Sequence, residues 1–167
     1  METIEYRGVV DKSDWGDGPW QSEPDKKQWR DAATGLPCLI VRNAHATGAL
    51  CGYVGVSANH PTYGKNYGDV DVDCHGGLTF SDSCHHSADP SRGICHIPGE
   101  GEPDDIWWLG FDCAHGGDVS PLIVQRLAKA GLPPIPWIEQ EEYRTFAYVE
   151  SECAKLAAQL HAQSMGA

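Results

Sequence analysis

The sequence predicts a single α+β domain, in which a small mixed β-sheet is packed by a long C-terminal helix and one shorter helix, with long irregular loops between them. The chain has 167 residues, the size of one domain, so we expect one unit over residues 1–167. Strand-like runs fill the first two thirds of the chain, and helical periodicity is confined to the last third. Strands followed by helices are typical of the α+β class.

The strand predictions rest on short apolar runs and on alternation. Residues 69–75 (DVDVDCH) alternate throughout, with apolar side chains on one face and the acidic residues and His75 on the other. Residues 106–112 (IWWLGFD) form the most hydrophobic run and are predicted to be a central strand. The predicted strands are 3–10, 36–41, 50–56, 69–75 with 77–81 as a continuation, and 106–112.

Two helices are predicted near the C-terminus. The first begins after Ser120, a good N-cap, with Pro121 in its first position, and it stops at Gly131. A Pro-rich connector over 132–138 follows, and a second helix covers about 139–163. Apolar residues trace one face of this second helix. They are Tyr143, Phe146, Val149, Cys153, Leu156 and Leu160.

The charge balance excludes several partners. The chain has 24 acidic and 12 basic residues and a net charge of −12, so it repels phosphate backbones and anionic membranes. We therefore expect neither nonspecific nucleic-acid binding nor membrane association, and no apolar run approaches the roughly 20 residues of a membrane span. The N-terminal segment has acidic residues and no apolar core, which argues against a signal peptide and predicts a cytoplasmic location.

The seven cysteines are predicted to be thiols rather than disulfides. Their number is odd and no export signal is expected, which indicates a reducing cytoplasm. No CxxC pair occurs, so zinc-ribbon and thioredoxin motifs are absent. The Cys84-His85, Cys95-His96 and Cys74-His75 dipeptides allow a structural zinc ion in the polar stretch 83–105. Their spacing matches no zinc finger, and a loop packed by its own side chains is the alternative.

One short motif occurs twice. Asp73-Cys74-His75-Gly76-Gly77 is echoed by Asp112-Cys113-Ala114-His115-Gly116-Gly117, and each copy follows a predicted strand. If the two strands are adjacent and parallel, their ends meet, and His75 and His115 share one concave site with Asp112 close to both. In the alternative interpretation, the aspartates only cap turns and the histidines bond the backbone.

The doubled motif predicts a functional site with the following members. His75, Asp112 and His115 are predicted ligands of a divalent metal such as zinc, and His75, His115 and Asp118 are the predicted catalytic residues. The Gly76-Gly77 and Gly116-Gly117 pairs let backbone N–H groups approach a ligand closely.

Three further residues are predicted to contact a small-molecule ligand. Lys65 and Tyr67 lie in a loop where a lysine among tyrosines could contact a phosphate, and Trp108 could form the floor of a pocket by stacking on a planar ligand. An ordinary exposed loop and core packing of the tryptophan are the alternatives.

Several strings occur together in the chain and carry a family resemblance. They are Gly18–Trp20, Glu23–Lys26, Thr34–Ile40, Cys51–Val56 (CGYVGV), His60-Pro61, His75–Phe80 (HGGLTF), Gly101–Asp105, Trp107–His115 (WWLGFDCAH) and Gly117-Asp118. Over roughly Gly18 to Cys153, the chain resembles a family of small uncharacterised proteins encoded by bacteria and their phages. The resemblance implies a bacterial or phage origin and a cytoplasmic setting, and it implies no reaction and no catalytic residue.

Three functions compete at this point. The doubled motif favours a metal-dependent hydrolase of a small, nucleotide-like substrate. Exposed aromatic side chains and glycine amides favour a protein that binds a small molecule or a nucleotide signal without chemistry. A structural or virion-associated protein is the third possibility.

Overall fold

The β-sheet has six strands, and every pairing in it is antiparallel. The computed structural model describes residues 1–102, 104–132 and 142–166. The strands are β1 (Ile4–Tyr6), β2 (Lys26–Arg30), β3 (Pro37–Arg42), β4 (Leu50–Val56), β5 (Phe80–Ser83) and β6 (Trp107–Asp112). They lie in the order β1-β2-β3-β4-β6-β5. The α+β class is confirmed, and the sheet is antiparallel where a mixed sheet was expected.

The centre of the sheet is the continuous apolar strand β4, all of whose residues are buried. Antiparallel β3 and β6 flank it, and β6 lies between β4 and β5. The middle of β4 accommodates only a glycine, Gly52, because a Cβ there would clash, at 2.5 Å from the Phe111 ring and 2.8 Å from the Cys153 sulfur. A helix can therefore pack closely against this face.

Helix α2 (Phe146–Met165) covers one face of the sheet. Val149, Cys153, Leu156 and Leu160 are fully buried against β3 and β4, as the helical periodicity predicted. The helix begins at Phe146 rather than near residue 139, because the Thr145 side chain accepts the Tyr148 N–H as an N-cap. Residues 139–141 lie outside the described residues.

The shorter helix, α1 (Pro121–Lys129), follows Ser120 as predicted and packs beside the β3–β4 turn. The Leu122 N–H donates to the Thr47 carbonyl over 3.0 Å, and the Arg126 guanidinium donates to the carbonyls of His45 and Ala46. Of the predicted connector 132–138, only Leu132 lies within the described residues. Among the described helices, none is both long and apolar enough to cross a membrane.

The other face of the sheet buries Leu39, Tyr53 and Trp108 under the irregular segment that follows β5. Lys26 and Gln28 of β2 hold this segment. The Lys26 ammonium lies 2.8–3.3 Å from four carbonyl oxygens, those of Pro90, Arg92, Gly93 and Cys95. Burial lowers the Lys26 pKa to about 8, so the side chain is still protonated at neutral pH.

Several strand assignments differ from the sequence prediction. The strand predicted over 3–10 is present only at Ile4–Tyr6, and the continuation predicted over 77–81 is a strand only from Phe80, where β5 begins. Residues 69–75 are not a strand: Tyr67–Asp69 form a short 3-10 helix, and the rest runs without a strand partner. Strand β2 (KKQWR) was not predicted, because a run with two lysines, a glutamine and an arginine gives no apolar signal.

Truncation of Leu156 tests the packing of α2. We expect Leu156→Ala to lower the free energy of unfolding by about 2–5 kcal/mol, because the side chain is fully buried and the space it leaves cannot collapse completely. Urea denaturation followed by circular dichroism measures the loss. The matched control is Leu132→Ala, since Leu132 is 54% exposed and should change stability by about 0.5 kcal/mol at most. A similar, small loss in both variants would contradict this packing.

Candidate metal centre

The first side of the centre is the segment 71–75, which runs along α2. The Gln159 side chain accepts the Asp73 N–H over 2.8 Å and donates to the Asp73 carbonyl over 2.7 Å. Gln163 donates to the Asp71 carbonyl, and the Glu152 carboxylate accepts the His75 N–H over 3.1 Å. Side chains of α2 therefore satisfy the backbone groups that a β-ladder would otherwise bind, and they fix the position of His75.

The second side is the turn that follows β6. The Asp112 carboxylate accepts the Ala114 N–H over 3.1 Å, and the Asp118 N–H donates to the His115 carbonyl over 3.0 Å. The Asp118 side chain turns back and accepts the His115 N–H over 3.0 Å. The turn thus carries His115 and Asp118 on one short, internally bonded loop.

The two sides meet at the Asp118 carboxylate. His75 Nε2 lies 2.7 Å from Asp118 Oδ2, and His115 Nδ1 lies 3.8 Å from the same oxygen. The two imidazole rings are 5.6 Å apart at their centroids and meet edge to face. One ligand atom from each of the three residues lies within 4.8 Å of the others, a spacing at which they could hold a metal ion.

The Nδ1 atom of His115 is buried and has no hydrogen-bond partner among the described residues. Its nearest carboxylate oxygens, on Asp112 and Asp118, are both 3.8 Å away, beyond hydrogen-bond reach. Buried polar atoms are nearly always satisfied, so an unpaired ring nitrogen facing two carboxylates indicates a position for a cation.

Asp118 is 5% exposed and is held as a carboxylate. Burial alone would raise its pKa, but hydrogen bonds from Arg144 and His75 outweigh this and place the pKa below its ordinary value. Arg144 Nε donates to Asp118 Oδ1 over 2.7 Å, and the guanidinium also pairs with Glu142 and lies over the Tyr148 ring. Asp118 can therefore present its other oxygen, Oδ2, to the two histidines.

His75 is oriented from its far side. Its Nδ1 lies 2.9 Å from the Tyr148 hydroxyl, while its Nε2 faces Asp118. A partner on one ring nitrogen sets the tautomer and leaves the other nitrogen for a metal, an arrangement common around metal-binding histidines.

The buried thiols beside the centre do not join it. Burial, with the charges of Glu152 and Asp73, raises the pKa of Cys74 to about 12. Burial also raises the pKa of Cys113 well above its ordinary value. Both residues stay protonated at neutral pH, so they serve as small apolar side chains of the core.

The convergence of His75, His115 and Asp118 does not arise from parallel strands, because residues 69–75 form no strand. Asp112 lies beside His115, yet the three-residue group contains Asp118 in its place. Gly76 is also part of the centre, since its backbone lies against the His115 ring. Gly116 and Gly117 are exposed in the adjoining turn, and Gly77 closes its own turn by donating to the Cys74 carbonyl.

The other predicted ligand contacts lie elsewhere. The Lys65 carbonyl accepts the indole N–H of Trp107. Trp107 is the first residue of β6 and Asp112 the last, so Lys65 lies at the opposite end of this strand from the centre. Tyr67 is 42% exposed, with its N–H donating to the Ser81 hydroxyl. Trp108 is fully buried on the sheet face opposite α2. No sequence pattern predicted the roles of Arg144, Tyr148 and Glu152. The one available signal was the four-residue spacing of Tyr148 and Glu152, which places both on the same side of a helix.

The prediction that all cysteines are thiols is wrong for one pair. Cys84 and Cys95 form a disulfide, with their Cα atoms 4.7 Å apart. The chain folds back between them, and the His85 N–H donates to the Ile94 carbonyl over 3.0 Å, which brings the two residues side by side. The other five cysteines are free and buried.

Comparison with protein-family models, with curated proteins and with solved structures finds no match for this chain. The resemblance to bacterial and phage-encoded proteins therefore stays a prediction. Support for a function therefore comes from the geometry of the centre.

Alanine at two neighbouring glycines tests how the centre is packed. Gly76 and Gly77 both have positive φ, of 65° and 83°, so either substitution should cost roughly 1–2 kcal/mol of backbone strain. Only at Gly76 would a Cβ meet the His115 ring, at 2.2 Å from Cε1; at Gly77 it would meet nothing within 4 Å. We expect Gly76→Ala alone to displace the imidazole, seen as a large change in the His115 ring resonances by NMR. Equal changes in the two variants would contradict this contact.

Proposed function

We propose that the protein is a metal-dependent hydrolase of a small substrate, and that His75, His115 and Asp118 bind its divalent metal ion. The single observation that carries the proposal is the unpaired, buried Nδ1 of His115, which lies beside the hydrogen-bonded His75–Asp118 pair. Two imidazoles and one carboxylate are the ligands of many catalytic zinc sites.

Zinc binding requires movements of up to about 1.5 Å, the largest for the His75 and His115 ligand atoms, which lie within 4.8 Å of each other. Zinc bonds of about 2.0–2.1 Å at tetrahedral angles place ligand atoms roughly 3.3 Å apart. The His75–Asp118 contact of 2.7 Å would lengthen and the His115–Asp118 contact of 3.8 Å would shorten, each by less than about 1 Å. The first change replaces a hydrogen bond by two bonds to the metal, with the His75 proton moving to Nδ1 and donated to Tyr148.

Three protein ligands leave one position for water. A bound zinc lowers the pKa of that water to about 7 and so supplies a nucleophile at neutral pH. We assign Asp112 as the group that accepts the water proton, because its carboxylate is partly exposed and lies 3.8 Å from His115 Nδ1. In this proposal Asp118 takes the ligand role expected for Asp112, and Asp112 takes the base role expected for Asp118.

The proposed substrate is small and nucleotide-like. The exposed Gly116 and Gly117 flank the centre and allow the substrate to approach the backbone closely.

A binding protein without chemistry is the second candidate, and a separate cavity favours it. The cavity has a volume of about 520 Å³, within the range of small-molecule sites. It has apolar valine walls and charged residues of both signs, Arg92 with Asp11 and Asp25, beside Arg42, whose guanidinium is already paired with Asp25. It shares no lining residue with the metal centre, so the two candidates can be tested separately.

Metal content is the first test of the centre. We expect protein with its Cys84–Cys95 disulfide intact to bind one zinc ion per chain in equilibrium dialysis with elemental analysis. His115→Ala should abolish stoichiometric binding, because it removes a ligand. Tyr148→Phe should weaken zinc affinity about 10–100-fold, since it removes the partner that orients His75.

His161→Ala is the matched control, because His161 lies exposed on α2, away from the centre. It should bind zinc like the unmodified protein. Absence of zinc in the unmodified protein, or equal binding by His115→Ala, would refute the proposed metal site.

Turnover is the second test. We expect zinc-dependent hydrolysis of at least one compound in a panel of nucleotides, phosphodiesters and carboxylic esters, with loss of activity on chelation. Asp112→Asn should lower kcat about 10²–10⁴-fold by removing the base, while zinc stoichiometry stays at one. Tight binding of a nucleotide without turnover, lost in Arg92→Ala and kept in His115→Ala, would instead support the second candidate.

A further inference from the structure

A second cluster of metal-ligating side chains lies on the opposite face of the sheet. Its ligand atoms, from Cys84, Cys95, His96 and Asp104, all lie within 4.8 Å of one another. The Asp104 Oδ1 atom is 3.8 Å from the Cys84 sulfur and 4.0 Å from the Cys95 sulfur. None of these residues belongs to the centre at His75, so the cluster needs a separate explanation.

The histidine of this cluster carries independent evidence for a ligand. His96 is 6% exposed, and its Nδ1 is buried without a hydrogen-bond partner in the part of the chain that the structure describes. The Trp108 ring lies edge-on to it at 5.6 Å and keeps one side of the imidazole in an apolar contact. His96 therefore has an unpartnered buried nitrogen and belongs to a group whose other ligand atoms are two sulfurs and a carboxylate oxygen, a set that zinc binds.

There is also space beside the cluster. A cavity of about 200 Å³ is lined by residues that include Cys95, His96 and Asp104. His86 borders the same cavity, with its Nδ1 3.4 Å from the Cys95 sulfur and its Nε2 3.6 Å from Asp104 Oδ2. The Cys95 sulfur can therefore move away from the Cys84 sulfur into existing space instead of displacing the core.

We propose that Cys84, Cys95, His96 and Asp104 bind one zinc ion when the Cys84–Cys95 disulfide is reduced. A dithiol reductant gives two electrons and two protons to the disulfide, forming two thiols and becoming a disulfide itself. Zinc then displaces the two thiol protons and binds two thiolates. The sulfurs separate to about 3.8 Å, and each lies roughly 3.5 Å from the Asp104 ligand oxygen, as tetrahedral zinc requires.

Four protein ligands leave no open position, so this zinc is structural. Two thiolates and a carboxylate around Zn²⁺ leave a net charge of −1, and the Lys26 ammonium, 2.8 Å from the Cys95 carbonyl, lies nearby to offset it. Zinc and the disulfide join the same two residues. The segment between them is thus held in both reducing and oxidising surroundings.

Cobalt titration of the reduced full chain tests this site without a variant. The protein is reduced with dithiothreitol, freed of reductant under anaerobic conditions and titrated with Co²⁺. We expect thiolate-to-cobalt charge-transfer absorption that saturates at one equivalent and disappears when Zn²⁺ is added. The same signal should appear in a His75→Ala/His115→Ala background, so this test is independent of the proposed hydrolase centre.

Paired variants identify the ligands. Cys84→Ser and His96→Ala should lose the thiolate-to-cobalt charge-transfer absorption, whereas His85→Ala, at a neighbouring exposed histidine, should retain it. His86→Ala should also retain it, which separates His96 from the other histidine at the cavity. Absence of charge-transfer absorption in the reduced unmodified protein would overturn the proposal. Retention in His96→Ala with loss in His86→Ala would overturn the assignment of His96.

Discussion

The centre depends on how α2 binds the backbone of residues 71–75. This segment is half-buried and has no strand partner, so its N–H and carbonyl groups need other partners. Gln159, Gln163 and Glu152 provide them, and all three lie on one side of α2 with Tyr148. One helix face thus both fixes the backbone of His75 and orients its imidazole. The burial of Leu156 and its neighbours against the sheet in turn fixes the helix.

On the opposite face of the sheet, side chains of a regular element again bind the backbone of an irregular segment. There, strand β2 supplies the side chains, and the irregular segment supplies the backbone. Lys26 binds four carbonyls, and Gln28 both donates to and accepts from the segment, including the Ile97 N–H over 2.8 Å. A buried ammonium is costly unless such partners surround it. Each candidate metal cluster therefore lies where a non-repetitive segment is bound by side chains of a regular element.

This binding of irregular backbone by distant side chains explains which parts of the fold could be predicted. Apolar runs identified β3, β4 and β6, and periodicity identified the buried face of α2, because those elements are stabilised by apolar burial. Helix α1, in which only Pro121 is buried, was identified by its cap residues instead. It failed for β2, where Lys26 and Gln28 are buried through hydrogen bonds to a distant loop. For residues 69–75 the alternation predicted burial correctly, since Val70 and Cys74 are buried and Asp71 and Asp73 are exposed. The partner was wrong, because alternation says which side chains face inward and nothing about what binds the backbone.

The site was predictable to a similar extent and for the same reason. The doubled motif marked His75, His115 and Asp118, but the expected parallel strands do not exist. Their convergence follows from two separate constraints: α2 positions His75, and the internal bonds of the 112–118 turn position the other two. Asp118 rather than Asp112 lies at the centre because Arg144, just before α2, binds its outer oxygen and leaves the inner one toward the histidines. That choice depends on a residue with no local sequence signal, 26 positions further along the chain. Helix α2 binds His75, and Arg144, next to the start of α2, binds Asp118. The docking of α2 on the sheet therefore influences the position of Asp118 as well as that of His75.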